Sequence, residues 1–142
     1  MRTPRSLLLA GFCVTATLAP ALSGCGSDGG GGTGPNTALH ASWNATSFVG
    51  QNTDFIALGM TLVMTLAPAG TYTFDFTNDM INACNPGPDC TQTGTYSSTA
   101  TTVTFDPGTA DQTVFNYTIV GTTLTVTGTI DLIPVTITLE KL

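Results

Sequence analysis

Hydrophobic and polar residues alternate along most of the chain from residue 41 onward. In the segment 60–66, for example, threonines and Val63 form one face, and the other face carries Met60, Leu62, Met64 and Leu66. Successive side chains of a strand point to opposite faces, so a period of two residues is typical of strands buried on one side. No segment longer than a turn has helical periodicity. The pattern predicts strands at 41–49, 54–58, 60–66, 71–77, 93–97, 101–105, 113–120, 123–128 and 132–139.

Turn-forming residues separate these strands at the short spacing of antiparallel hairpins, as in Ala-Pro-Ala-Gly at 67–70 and Asp-Pro-Gly at 106–108. The tripeptide Gly-Thr-Tyr occurs at 70–72 and again at 94–96, and we interpret each copy as a strand that opens after a turn. Eight or nine short antiparallel strands predict an all-β fold. An up-and-down β-barrel is expected because closure removes exposed strand edges, and a β-sandwich is the alternative.

The inward face of the predicted sheet is rich in aromatic residues and methionine. In a barrel of eight strands the interior is either filled by side chains or holds one small ligand. These residues therefore predict either a packed core or a small apolar pocket. The residues of this candidate pocket or core are Trp43, Met60, Leu62, Met64, Phe74, Phe76, Phe105, Phe115 and Tyr117.

The amino-acid composition shows that the chain carries few charges, most of them negative. The chain has 29 threonines but only three basic residues against nine acidic residues. Three basic residues cannot form the positive surface that binds a nucleic-acid backbone, so no nucleic-acid partner is expected. Amphipathic surface helices are also not expected, since Glu, Lys and Arg are scarce.

The N-terminal segment has the features of an export signal. Arg2 and Arg5 precede an apolar stretch at 7–22, which is short for a membrane span of about 20 apolar residues. The stretch ends in Leu22-Ser23-Gly24-Cys25, which resembles the bacterial lipoprotein signal. That resemblance implies cleavage after Gly24 and acylation of Cys25, with diacylglycerol on the thiol and a fatty acid such as palmitate on the new amine. The alternative is an ordinary secretory signal with an incidental cysteine.

The predicted organisation is a signal peptide (1–24), an acylated cysteine with a glycine-rich tether (25–37), and a β-domain (38–142). The tether has an expected end-to-end distance of roughly 20 Å. In the lipoprotein family the residue after the cysteine directs sorting. Gly26 at that position implies the outer membrane, or the outer face of a cell with a single membrane. Cleavage would leave Lys141 as the one basic residue against nine acidic residues, a formal charge of −8, which repels anionic substrates.

Two cysteines remain in the domain, Cys84 and Cys90. An exported protein meets an oxidising compartment, where an even pair of cysteines favours a disulfide. The intervening Asn-Pro-Gly-Pro-Asp is dense in turn formers and allows the chain to reverse. The alternatives are a metal site, which requires more ligands, and a redox pair, which usually has the spacing Cys-x-x-Cys.

Catalytic residues are not evident in the sequence. A Ser-His-Asp triad would require His40, the only histidine, which we expect to be solvated at the junction of tether and domain. A calcium site at Asp79 and Asp89 lacks a ligand loop of recognised spacing. Solvated turn roles explain the aspartates, so we predict no enzyme, no metal and no cofactor.

The order of the strand motifs resembles the lipocalin-like domains of bacterial lipoproteins. The similarity covers most of residues 41–139 and consists of an early tryptophan (Trp43), Gly-Thr-Tyr-Thr-Phe at 70–74, Gly-Thr-Tyr-Ser at 94–97 and Leu-Thr-Val-Thr at 124–127. It implies an up-and-down antiparallel barrel. Two functions are compatible with it: a lipid-anchored envelope protein that binds a small apolar ligand, or a structural or interaction protein with a packed core. Protein partners are not indicated.

Overall fold

The structure of the protein, a computed structural model, describes residues 35–142. The predicted signal peptide, Cys25 and residues 26–34 of the predicted tether lie outside the described residues. The described chain forms one short 3-10 turn, Thr37–Leu39, and nine strands. These are β1 (Ala41–Gly50), β2 (Thr53–Asp54), β3 (Thr61–Leu66), β4 (Thr71–Thr77), β5 (Cys90–Ser98), β6 (Thr102–Phe105), β7 (Thr113–Val120), β8 (Thr123–Ile130) and β9 (Ile133–Lys141).

Eight of the strands close into an antiparallel up-and-down barrel, as predicted. From β3 to β9 each strand pairs with the next, and β1 pairs with both β3 and β9. An irregularity in the β1–β9 register between Ala45 and Ser47 marks a bulge, and a bulge bends its strand. β2 is a two-residue addition to β1. The alternative of a β-sandwich is wrong, because pairing between β1 and β9 leaves one continuous sheet.

Alternation along the strands builds the core. In β3 and β8 the inward residues, such as Leu62 and Val126, are buried, while Thr61 and Thr127 are exposed. No polar or charged residue among 35–142 is buried as a whole. Full burial of a large apolar side chain contributes about 1.5–3 kcal/mol. The most deeply buried side chains, all at most 1% exposed, are Leu39, Trp43, Phe48, Met60, Val103, Leu124 and Leu139.

The two ends of the barrel differ in their connections. The N-terminal end carries the 3-10 turn and the short turns 67–70, 99–101 and 121–122. There Leu39 and Trp43 are both 1% exposed, and the indole Nε1 of Trp43 donates to the Leu39 carbonyl at 3.0 Å. The opposite end, here called the loop end, carries the segments 51–60, 78–89, 106–112 and 131–132. Most of the irregular backbone therefore lies at one end.

Two details differ from the sequence prediction. The predicted strand 54–58 is wrong, since only Thr53 and Asp54 are extended. The Asp54 carboxylate accepts hydrogen bonds from the backbone amides of Phe48 and Ile56, which turns the chain immediately after β2. In addition, the second Gly-Thr-Tyr does not open a strand, because Gly94 lies in the middle of β5.

Within residues 35–142 there is no helix with the length and hydrophobicity needed to cross a bilayer.

Candidate functional site

The barrel is not completely filled. It holds a cavity of about 320 Å³ that reaches the loop end, where residues of 78–89, 106–112 and 131–132 complete its wall. Volumes of this size lie at the lower limit of known small-molecule sites, about 300–1,000 Å³. The cavity is therefore large enough for a ligand of modest size. The strands contribute an apolar wall that includes Phe48, Leu62, Met64, Phe76, Val126 and Leu139.

One side of the cavity is a cluster of aromatic rings from β4, β6 and β7. The ring centroids of Tyr72 and Phe74 are 4.5 Å apart, and Phe105 lies 5.0 Å from each of them in edge-to-face geometry. Phe76 and Phe115 extend the cluster at 6.4 Å from Phe74 and 6.0 Å from Phe105. Aromatic pairs in edge-to-face geometry are favourable by about 0.5–1.5 kcal/mol beyond their burial, so these contacts stabilise the wall.

Phe74 is the inward-facing residue of β4 that the core leaves partly uncovered. Its neighbours on the same face, Tyr72 and Phe76, are buried, whereas Phe74 is only half-buried. Ile137 on β9 is also half-buried, and both side chains line the cavity. Apolar surface that stays accessible inside a barrel is the surface a ligand would cover.

Tyr72 links the aromatic wall to the loop 106–112. Its hydroxyl donates to Asp106 Oδ2 at 2.6 Å, and Asp106 Oδ1 accepts from the backbone amide of Thr95 at 3.1 Å. Burial, followed by the hydrogen bond to Asp106, raises the pKa of Tyr72, so the phenol stays protonated as a donor. Because Gly94 has no Cβ, this pair can occupy the space directly over β5.

The barrel wall beside the β6–β7 hairpin extends less far toward the loop end than the rest of the barrel. β5 pairs with β6 only over Tyr96–Ser98, and β7 pairs with β8 only from Asn116 onward. The loop 106–112 borders this part of the wall, and the exposed residues Asp111, from this loop, and Asp131, from the β8–β9 turn, line the cavity. The cavity therefore opens to solvent at an acidic rim.

The opposite part of the mouth is covered by the segment 78–89, which the Cys84–Cys90 disulfide closes. The disulfide predicted from the sequence is confirmed, with a Cα–Cα distance of 5.5 Å. The Asp79 carboxylate accepts from the amides of Ile81 and Cys84, and Gln92 Nε2 donates to the Ala83 carbonyl at 2.6 Å. These bonds hold the apolar side chains of the segment over the cavity.

A second cavity of about 270 Å³ lies beside the first, between the segment 78–89 and the β8–β9 turn. The two cavities share Phe48, Ile81, Asn82, Ile130 and Asp131 in their walls. Movement of Ile81 or Asn82 alone would change both volumes.

The nine residues predicted as one pocket or core separate into two groups. Leu62, Met64, Phe74, Phe76, Phe105 and Phe115 line the larger cavity. Trp43 packs at the N-terminal end, and Met60, the last residue of the segment 51–60, has no exposed surface and does not line the cavity. Tyr117 also lies at the N-terminal end, where its hydroxyl donates to the Thr99 carbonyl and accepts from Asn36.

Asn36 belongs to the predicted tether but is bonded to the barrel. In addition to the contact with Tyr117, its backbone amide donates to Ser98 Oγ at 2.6 Å. The chain thus enters the barrel at the end opposite the cavity mouth.

His40 and the loop aspartates have structural surroundings. His40 was expected to be solvated, but it is half-buried, and its Nε2 has no hydrogen-bond partner within residues 35–142. It does not line the cavity. Asp89 Oδ1 accepts from the Asn78 amide, so Asp79 and Asp89 both hold loop backbone. In the part of the chain that the structure describes, no three His, Cys, Asp or Glu side chains converge as metal ligands.

Several wall residues were not singled out from the sequence. Ile81, Asn82 and Ala83 lie in a loop whose sequence has no hydrophobic periodicity. Asp111 and Asp131 lie between strands, where aspartate is common in turns. Tyr72, Ile130 and Ile137 do follow the strand alternation, which could have indicated them.

Comparison of the chain with protein-family models, with curated proteins and with solved structures finds no match. The functional argument therefore depends on the cavity and its surroundings.

Proposed function

We propose that the protein is a lipid-anchored protein of the bacterial cell envelope whose lipocalin-like barrel binds a small apolar molecule. The observation that carries the binding role is the cavity of about 320 Å³ with an aliphatic and aromatic wall. A completely filled barrel would favour a purely structural role. Phe74 and Ile137 line the cavity and are only half-buried, which argues against a filled barrel. We propose binding without catalysis.

The cavity sets the size of the ligand. A water molecule occupies about 30 Å³ of liquid, so the cavity corresponds to about ten non-hydrogen atoms. Ligands of this size gain between about 0.3 and 1.5 kcal/mol per non-hydrogen atom. An intermediate value of about 0.6 kcal/mol per atom gives a dissociation constant on the order of 100 μM for a simple probe such as 1-octanol.

Calorimetric titration with 1-octanol tests the binding role. The protein would be the full chain carrying Cys25→Ser, prepared without detergent. Wild-type barrel should bind one molecule saturably, and Ile137→Trp, which places a larger side chain in the cavity, should weaken binding at least tenfold. Val120→Trp is the matched control, because Val120 is 77% exposed and does not line the cavity. Absence of saturable binding to a folded barrel would instead favour the structural or interaction role.

Two observations support the envelope location. The sequence Leu22-Ser23-Gly24-Cys25 follows an apolar stretch, as in lipoprotein signals, and Gly26 favours the outer membrane. Independently, the Cys84–Cys90 disulfide is characteristic of proteins that mature in an oxidising compartment. Two or more acyl chains give stable membrane anchoring.

Fractionation of cells tests the anchor. The unmodified chain should sediment with membranes, and Cys25→Ser should move to the soluble fraction because the acylated thiol is lost. Cys13→Ser, within the predicted cleaved segment, is the control and should leave sedimentation unchanged. Continued sedimentation of the Cys25 variant would contradict lipid anchoring.

A further inference from the structure

Every charged side chain in the wall of the larger cavity is acidic. Asp106, Asp111 and Asp131 line it, and no Lys, Arg or His does. Asp106 is held in place by Tyr72 and Thr95, while Asp111 and Asp131 are exposed at the rim. An acidic turn residue alone is unremarkable, but two separate loops bring these three carboxylates to one apolar cavity.

The rest of the described chain does not balance this charge. Residues 35–142 contain eight acidic residues and one lysine, Lys141. Lys141 pairs with Trp43 in the β1–β9 register at the N-terminal end, and its Nζ lies 5.9 Å from the indole centroid. The charge that lines the mouth is therefore negative, and because Asp111 and Asp131 are exposed at the rim, dissolved salt screens part of their field.

We propose that the ligand is an amphipathic cation, with an alkyl or aryl portion inside the barrel and an ammonium-type group at the acidic rim. This inference rests on the proposed binding function and specifies its ligand class. The carboxylates attract the cation from solution, as a cleft of one charge sign concentrates the opposite ion.

The aromatic wall favours the same occupant. Tyr72 both contributes a ring to the wall and donates to Asp106, so the aromatic and acidic parts of the site are adjacent. Aromatic faces attract ammonium groups, and quaternary ammonium ligands are often held by aromatic side chains. A fatty acid of equal length would place its carboxylate against Asp111 and Asp131 and would be repelled.

Three probes with the same octyl chain test the inference: octyltrimethylammonium, 1-octanol and octanesulfonate. Titrations would use the full chain carrying Cys25→Ser, at low ionic strength and below micelle-forming concentrations. The cation should bind at least tenfold more tightly than octanol, and the sulfonate more weakly than octanol. Raising the salt concentration should reduce the difference between cation and octanol.

A pair of double variants locates the effect. Asp111→Asn with Asp131→Asn should reduce affinity for the cation about tenfold and change octanol affinity by less than about twofold, because both residues line the cavity but octanol carries no charge. Asp75→Asn with Glu140→Gln removes the same charge away from the cavity and should change neither. Equal affinity for all three probes, or equal losses in both double variants, would overturn the cation preference while the binding function stands. Failure of all three probes to bind would overturn the binding function itself.

Discussion

Gly94 lies beneath Tyr72 and Asp106, which together occupy the volume that a larger side chain would need. A Cβ at this position would approach the Tyr72 hydroxyl to 2.7 Å and would also overlap the Asp106 carboxylate. Gly70, in the first Gly-Thr-Tyr, serves a different purpose, since its φ of +77° closes the β3–β4 turn. The glycine of the Gly-Thr-Tyr tripeptide is therefore needed at position 94 because there is no room for a Cβ, and at position 70 because the turn has a positive φ.

Gly94→Ala should destabilise the protein by about 1–3 kcal/mol, because overpacking forces the Tyr72–Asp106 pair out of place. Urea unfolding measures the change. Thr93→Ala on the same strand is the control; Thr93 is exposed, so its loss should be small. An alanine at position 94 that leaves stability unchanged would contradict the packing described for Tyr72.

The β1–β2 hairpin depends on one carboxylate. Asp54 accepts from the Phe48 and Ile56 amides and from the Ser47 hydroxyl. The Phe48 amide, then the Ser47 hydroxyl, lower the pKa of Asp54 from its ordinary 3.8. A lowered pKa means that the ionised form stabilises the fold above the unfolded pKa, and that this stabilisation is lost as pH falls through the folded pKa.

Asp54→Asn should therefore cost about 1 kcal/mol at pH 6, a value discounted for the solvent exposure of the carboxylate. The difference in unfolding free energy between the wild type and the variant should shrink as pH falls below about 4, where the unfolded carboxyl begins to protonate. Urea unfolding between pH 6 and 2.5 provides the comparison. A difference that stays constant across this range would show that the charge on Asp54 does not stabilise the hairpin.

The disulfide-closed segment 78–89 forms part of the cavity wall. Loss of the Cys84–Cys90 bond should lower the unfolding free energy by about 2 kcal/mol in the chain-entropy model. Because Ile81 and Ala83 line the cavity, octanol affinity should fall as well. Thiol reduction of the wild type tests this without changing a side chain, and Cys84→Ala with Cys90→Ala, treated identically, controls for the reductant. Unchanged octanol affinity after reduction would show that the disulfide does not contribute to octanol binding.

Strands were predictable because their signal is local. The alternation is visible within the six residues of β3 and the eight of β7, and its period predicts which side chains face inward. The short β2 was not predictable, since Asp54 acts through amides on both sides of the turn. The cavity rim was even less accessible to sequence reasoning, because Ile81, Asp111 and Asp131 meet only when the barrel closes.

On the scale of the whole molecule, the chain enters at one end of the barrel and the cavity opens at the other. Asn36 is bonded to Ser98 and Tyr117 at the N-terminal end, while Asp111 and Asp131 border the mouth at the loop end. The cavity mouth and the point at which the chain enters the barrel are therefore at opposite ends of the domain. The threonine-rich outer face of the barrel is polar with little charge.

The central claim is that a small molecule binds inside the barrel, against the half-buried faces of Phe74 and Ile137. Intermolecular nuclear Overhauser effects between bound 1-octanol and protein side chains test this most directly. We predict cross-peaks from octanol methylenes to the Phe74 ring and the Ile137 methyl groups, and none to Val120 on the outside. Cross-peaks confined to exposed side chains, or none at saturating octanol, would contradict an internal binding site.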